Sequence, residues 1–296
     1  MNVIESVGLG RRYGGRWALT ECTLTIPQGH LVALVGPNGA GKTTLLNLVV
    51  GLTPPTAGTV RVLGGTPAGS QLALDGIAFV AQDMPLYRHL SVADMLHLTR
   101  NLNLDFDMPY ARGRLAELAI DSKLKVGKLS GGQQAQLALT LALARHPRML
   151  VLDEPTGPLD PLARHDFMAT VMTAMADDGL SVVLSSHNLA ELERVADYLV
   201  LIAHGRVRLD GPVEALLACH RLVTGPGLDT PGRPSWEVIE STGTGNYSHR
   251  LVRLPSTEPA LPPTVEGRPV GVEELALAYL RETAGAPAPA LTGTPR

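Results

Sequence analysis

The sequence predicts an α/β fold built on a parallel sheet, and three observations carry that prediction. Short, mostly apolar runs recur at residues 31–35, 77–80, 149–152, 180–184 and 198–202. Runs apolar at nearly every position suit strands covered on both faces, as in parallel sheets. Stretches of helical character fall between them. Glycine or polar residues stand at or just past the ends of several runs: Gly36, Gln82 after Ala81, Asp153-Glu154 and Ser185-Ser186-His187. In open α/β sheets that edge is where ligands bind.

Residues 3–9 and 22–26 read as strands, with Arg11-Arg12-Tyr13-Gly14-Gly15-Arg16-Trp17 as an exposed basic turn between them. Two aromatics in such a turn suit stacking on a planar ring. Pro27-Gln28-Gly29 turns into the run 31–35, and a helix over 44–50 follows and stops at Gly51. Between strand and helix lies Gly36-Pro37-Asn38-Gly39-Ala40-Gly41-Lys42-Thr43-Thr44, which fits G-x-x-x-x-G-K-[ST] at every fixed position. Its glycines let several N–H groups converge on one anion, and the helix N-terminus adds about half a positive charge. Lys42 supplies a full charge near the terminal phosphates, and the Thr43 hydroxyl is a Mg²⁺ ligand. These residues point to a nucleoside triphosphate bound with magnesium.

A Pro/Gly-rich break at 53–58 precedes a strand at 59–63. Residues 83–128 read as a mostly helical insert. Ser91 with Asp94 forms a capping box for a helix reaching about Arg100, and a second helix spans about 110–119. Leu129-Ser130-Gly131-Gly132-Gln133 opens a helix to about Arg145, a second place where N–H groups and a hydroxyl can meet an anion. After the run 149–152, Asp153 is placed to hold Mg²⁺ and Glu154 to orient and deprotonate a water. A turn over 156–161 leads into a helix ending at Asp178-Gly179. Strands at 180–184, 198–202 and 206–210 and a short helix at 213–219 complete the first part of the chain.

Composition then changes. Residues 224–232 read as a linker, 236–240 and 249–254 as strands, and 272–282 as a helix with Leu275, Ala278 and Tyr279 on one face. Residues 284–296, rich in Ala, Pro and Gly, read as a disordered tail. Asn246-Tyr247-Ser248 fits a glycosylation acceptor, a pattern without meaning outside a secreted protein.

The 296 residues carry a formal net charge of −3, which gives no general pull on nucleic acid. Two cysteines, Cys22 and Cys219, share no metal spacing and read as free thiols. The N-terminus lacks a signal segment, and no uninterrupted apolar run approaches the ~18 residues of a membrane span.

With these motifs in order, the chain resembles the ATP-binding subunits of ABC transporters over residues 1–220. Gly36 to Thr43 matches Walker A, Gln82 the Q-loop, Leu129 to Gln133 the LSGGQ signature, and Asp153 with Glu154 Walker B and its catalytic glutamate. Leu159-Asp160 matches the D-loop and His187 the switch histidine. The resemblance implies a P-loop NTPase (RecA-like) core with an N-terminal antiparallel β-subdomain and a helical insert. Residues 221–283 are then a small α+β extension.

The resemblance also implies ATP and Mg²⁺ as cofactors, the metal held by Thr43, Gln82 and Asp153. Tyr13 falls at the adenine-stacking position, with Trp17 the lesser candidate. It implies a homodimer or heterodimer of cassettes, in which Ser130, Gly131, Gly132 and Gln133 act on the partner's nucleotide. Glu154, His187 and Gln82 are the hydrolytic set. Integral-membrane permeases on separate chains are the expected partners, at the cytoplasmic face of the membrane. The short insert and the extension resemble bacterial drug-export cassettes; the alternative is a soluble ABC ATPase acting on ribosomes or DNA. Pro158 in the D-loop, and Gln134 and Gln136 where basic residues are frequent, depart from the pattern.

Overall fold

The structure is a computed structural model and describes residues 1–103, 105–157, 159–186, 189–225, 236–242, 248–254 and 266–285. The Pro158, His187 and Asn246-Tyr247 expectations fall outside these residues, as do residues 226–235 of the expected linker and 286–296 of the expected tail.

Strands β1 (Asn2–Tyr13) and β2 (Arg16–Pro27) form a long antiparallel hairpin. It is followed by β3 (Leu31–Val35), α1 (Lys42–Val49), β4 (Ala57–Val62), β5 (Thr66–Pro67), α2 (Gln71–Gly76) and β6 (Ile77–Val80). The insert holds α3 (Val92–Leu102) and α4 (Met108–Glu117). Next come α5 (Gly131–Leu143), β7 (Met149–Asp153), α6 (Pro161–Asp178), β8 (Ser181–Ser186) and α7 (Leu189–Leu192). They lead to β9 (Tyr198–Ala203), β10 (Arg206–Pro212) and α8 (Val213–Cys219). The chain then forms β11 (His220–Gly225), β12 (Glu237–Thr242), β13 (Ser248–Arg253), β14 (Glu266–Arg268) and α9 (Val272–Gly285).

The central sheet has the order β10-β9-β3-β8-β7-β6, parallel except for β10. Its alternation explains the unbroken apolar runs. Leu31, Ala33 and Val35 of β3 face a core shared with α5 and α6, while Val32 and Leu34 face α1 and the β1–β2 hairpin. With both faces covered, every residue of β3, β7, β8 and β9 is buried. The antiparallel sheet β2-β1-β4-β5 lies over the α1 side. The insert closes its own small core from Val92, Leu96, Phe106, Leu115 and Val126, completed by Leu137 and Leu141 of α5.

Three sequence expectations change. The turn expected over 11–17 shrinks to Gly14-Gly15, because the hairpin runs on to Tyr13 and restarts at Arg16. Arg11 stacking 4.8 Å over Tyr13 and Arg12 5.7 Å over Trp17 line this extension. Thr224 and Gly225, expected in the linker, instead pair with β13 as part of β11. Residues 284 and 285 of the expected tail belong to α9, which reaches Gly285.

The last part of the chain is fastened to the first. Leu275, Ala278 and Tyr279 of α9, expected on one face, are buried in the same cluster as Leu199, Leu201 and Leu216. His220 is fully buried at this seam: its Nδ1 donates to Leu216 O at 2.7 Å, and its Nε2 accepts from the Tyr279 hydroxyl at 3.0 Å. Glu193 Oε1 accepts from Val272 N at 2.9 Å at the start of α9.

Candidate functional site: a phosphate cradle at the sheet's carboxyl edge

The site is built by strand register. Val35, the last residue of β3, lies opposite Ser186 of β8, and Asp153, the last of β7, lies opposite Ser185. Three adjacent parallel strands therefore deliver the glycine loop, a serine pair and two carboxylates to one edge. The loop has little freedom there. A Cβ on Gly36 would lie 2.2 Å from Ile202 O of β9, and Gly41, at φ 109°, caps α1 with no room for a side chain beside Leu19 and Ala18. Ala40 O accepts from Gly205 N at 3.0 Å, pinning the loop to the turn after β9.

A cavity of about 510 Å³ opens over this edge. It is lined by Ala18, the loop from Asn38 to Thr44, Gln82 and Glu154. Lys42 is buried beneath it, its ammonium donating to Gly36 O at 2.8 Å and lying 3.3 Å from Glu154 Oε1. An incoming phosphate competes with those acceptors for the same cation.

Asp153 is 1% exposed, and its Oδ1 accepts a 2.6 Å bond from Ser185 Oγ. The same hydroxyl oxygen accepts from Glu154 N at 2.9 Å. Glu154 has φ 46°, a left-handed backbone that L-residues adopt at a cost. Ser185 thus fixes both carboxylate residues at once. The sequence showed Ser185 only as part of a serine pair; its bond to Asp153 spans 32 positions and no local pattern announces it.

The structure brings together Walker A, Gln82 and Glu154 at the cavity, with Asp153 under its edge. It does not bring the signature there. Ser130 caps α5 in a reciprocal box with Gln133 (Ser130 N to Gln133 Oε1 3.0 Å, Gln133 N to Ser130 Oγ 3.2 Å), and none of residues 130–133 lines the cavity. The body of this helix is buried from Ala135 to Leu143, but its start is open: Ser130 and Gly131 are exposed, and the first N–H groups of a helix have no intrahelical partner. Asp160 caps α6 through Ala163 N at 2.9 Å and also lies outside the cavity. Tyr13 is 44% exposed at the hairpin tip, stacked with Arg11, and is not part of the cavity lining.

The donor set suits magnesium: a threonine hydroxyl, an amide oxygen and a carboxylate are hard oxygen ligands. Among the described residues no three His, Cys, Asp or Glu side chains gather into a self-sufficient metal site. Mg²⁺ is bound typically through one or two carboxylates together with substrate phosphates, and Asp153 is the carboxylate in this set.

Comparison with known proteins places this architecture. A family model described as ABC transporter matches residues 19–157. The Nod factor export ATP-binding protein I of Sinorhizobium fredii (strain NBRC 101917 / NGR234) is 36% identical over 229 residues, 72% of this chain and 64% of that protein. The thiamine import ATP-binding protein ThiQ of Shigella flexneri serotype 5b is 32% identical over 201 residues, 66% of this chain and 87% of that protein. A solved dimeric bacterial ABC transporter cassette matches with TM-score 0.63 and 27% identity, covering 71% of this chain and 98% of that one. The chain belongs to the ATP-binding cassettes of ABC transporters, a P-loop NTPase fold. It spans just under two thirds of the length of the Nod factor export relative. No helix among the described residues is long and apolar enough to cross a membrane.

Proposed function

We propose that this chain is the ATP-hydrolysing subunit of a transporter, working as a pair of cassettes beneath separate membrane-spanning chains. The observation that carries this reading is the cavity where Lys42, Thr43, Gln82 and Glu154 converge while Ser130 to Gln133 lie elsewhere on the surface. One chain holds a phosphate cradle and a water-activating carboxylate, but its second anion-binding helix start points away. A second cassette, packed head to tail, completes each site.

The loop N–H groups and Lys42 bind the β- and γ-phosphates. Thr43, Asp153 and Gln82 hold Mg²⁺, which neutralises phosphate charge when bound. Lys42 turns from Glu154 to the phosphate, and the released carboxylate orients a water and takes its proton. Ser130, Gly131 and Gly132 of the partner cover the γ-phosphate; Gln133 holds Ser130 in place. His187 is the further candidate at the γ-phosphate, on its motif match alone. Tyr13 is the candidate stacking partner for the base, which requires Arg11 to share or leave the ring.

Driving a two-state equilibrium from 1:99 to 99:1 takes about 5.5 kcal/mol of differential binding. Two γ-phosphates gripped from both sides supply a gain of that kind, and hydrolysis removes it. Closing and opening are then the motion passed to the membrane chains, at their cytoplasmic face.

Both export and import proteins are among the relatives. Export is the direction we infer, supported by the short insert and the extension after residue 220. The named relatives support transport over work on ribosomes or DNA.

Glu154→Gln tests the reading. The expected result is retained ATP binding, turnover lower by about 10²–10⁴-fold, and an ATP-dependent dimer on sizing. Near-normal turnover in this variant overturns the assignment.

A further inference from the structure

The helix that carries the signature is held to the rest of the molecule by more than apolar packing. α5 lies between α4 of the insert and α6, touching both. Arg114 of α4 reaches past α5 to α6. Its Nη2 donates to Thr170 Oγ1 of α6 and lies 3.5 Å from Gln136 Oε1 of α5, while Nη1 lies 3.7 Å from Glu117. Gln136 and Thr170 are both buried, while the Arg114 side chain is partly exposed and Glu117 lies on the surface.

Both partners belong to helices whose starts matter. Gln136 stands six positions after Ser130, within the helix that Ser130 caps. Thr170 stands ten positions after Asp160, within the helix that Asp160 caps. One side chain therefore ties the insert, the signature helix and the D-loop helix together. Its terminal nitrogens are a planar fork that can bridge acceptors on separate elements, which a lysine ammonium cannot match in geometry. None of these residues lines the nucleotide cavity.

We propose that Arg114 is a positioning residue that fixes the orientation of the signature helix relative to α6. It thereby sets how well Ser130 to Gln133 meet the nucleotide on a second cassette, without affecting how the chain binds nucleotide in its own cradle. This rests on the head-to-tail pair described under Proposed function. A substitution at Arg114 should separate two quantities that most folding defects change together: affinity of the single chain for nucleotide, and affinity of the chains for one another in ATP.

The experiment uses the full chain in a Glu154→Gln background, so that hydrolysis does not obscure binding. ADP affinity is measured by titration, and ATP-dependent dimerisation by sedimentation, for Arg114 and for Arg114→Gln and Arg114→Lys. The expected result for Arg114→Gln is ADP affinity within twofold and a dimer dissociation constant about tenfold weaker, the loss of one charge-assisted hydrogen bond. Arg114→Lys, which keeps charge but not the fork, should fall between. An unchanged dimer constant overturns the proposal, as does an equal loss of ADP affinity. If the Arg114 protein itself forms no dimer in ATP, the head-to-tail reading fails and the proposal fails with it.

Discussion

Ser185→Ala removes one oxygen that serves two residues of the candidate site. The hydroxyl donates 2.6 Å to the buried Asp153 carboxylate and accepts 2.9 Å from Glu154 N–H. A hydrogen bond to a charged group contributes about 1.5–3 kcal/mol, and leaving a buried carboxylate short of a donor has the larger share of that effect. The second loss is smaller, because Glu154 N also reaches Ser185 O at 3.2 Å and keeps that acceptor. Little volume is lost, so the expected destabilisation is about 2–3 kcal/mol, a large fraction of a typical 5–15 kcal/mol stability. Urea unfolding followed by circular dichroism should show a lower midpoint with an unchanged slope. In the same protein kcat for ATP should fall about tenfold, equivalent to 1.4 kcal/mol, with Mg²⁺-free nucleotide affinity within twofold. A destabilisation below about 0.5 kcal/mol, the range of ordinary surface changes, would refute the reasoning that Ser185 holds the carboxylate pair.

Two further predictions come from packing and burial. Gly36→Ala sets a methyl 2.2 Å from a backbone oxygen of β9, whereas Gly39→Ala meets no atom and must only adopt φ 78°. Gly36→Ala should therefore lower stability by about 2–4 kcal/mol and Gly39→Ala by about 1–2 kcal/mol, a ranking read directly from thermal melts. Burial holds the His220 pKa below the ordinary histidine value. The unfolded chain then binds a proton that the folded chain refuses, so stability present above about pH 6.5 is lost as pH falls through and below it. Hydrogen exchange of α9 at pH 7.5 and 5.5 should show faster opening at the lower pH, and His220→Gln should flatten that difference.

The contiguous parts of this molecule were legible in its sequence. The loop from Gly36 to Thr44, the pair Asp153-Glu154 and the helix start at Ser130 each announce themselves within nine residues, because a glycine turn, a strand end and a helix cap are local events. The parallel sheet was legible for a related reason: strands buried on both faces cannot alternate with polar residues. What joins these parts was not. Ser185 meets Asp153, and Arg114 meets Thr170 56 positions away, only because the sheet register and helix packing bring them together. The hairpin ran past its expected strand ends up to Gly14-Gly15, with Arg11 stacked on Tyr13 and Arg12 on Trp17 along the extension. The short elements β5, α2, α7 and β14 carry too few residues for a period to show. The fusion of α9 onto the first part of the chain was half visible, as an apolar face whose cover the sequence did not name.

Complementation between two inactive chains tests the paired arrangement most directly. Lys42→Ala disables the cradle of its own chain, and Ser130→Arg blocks the helix start offered to the partner. In the head-to-tail pair, a mixed dimer keeps one intact site, made from the Lys42 of one chain and the Ser130 of the other. Random pairing of equal amounts makes half the dimers mixed, so about a quarter of wild-type ATP turnover should return. No recovery, with mixed dimers shown to form by differently sized tags, would contradict the account.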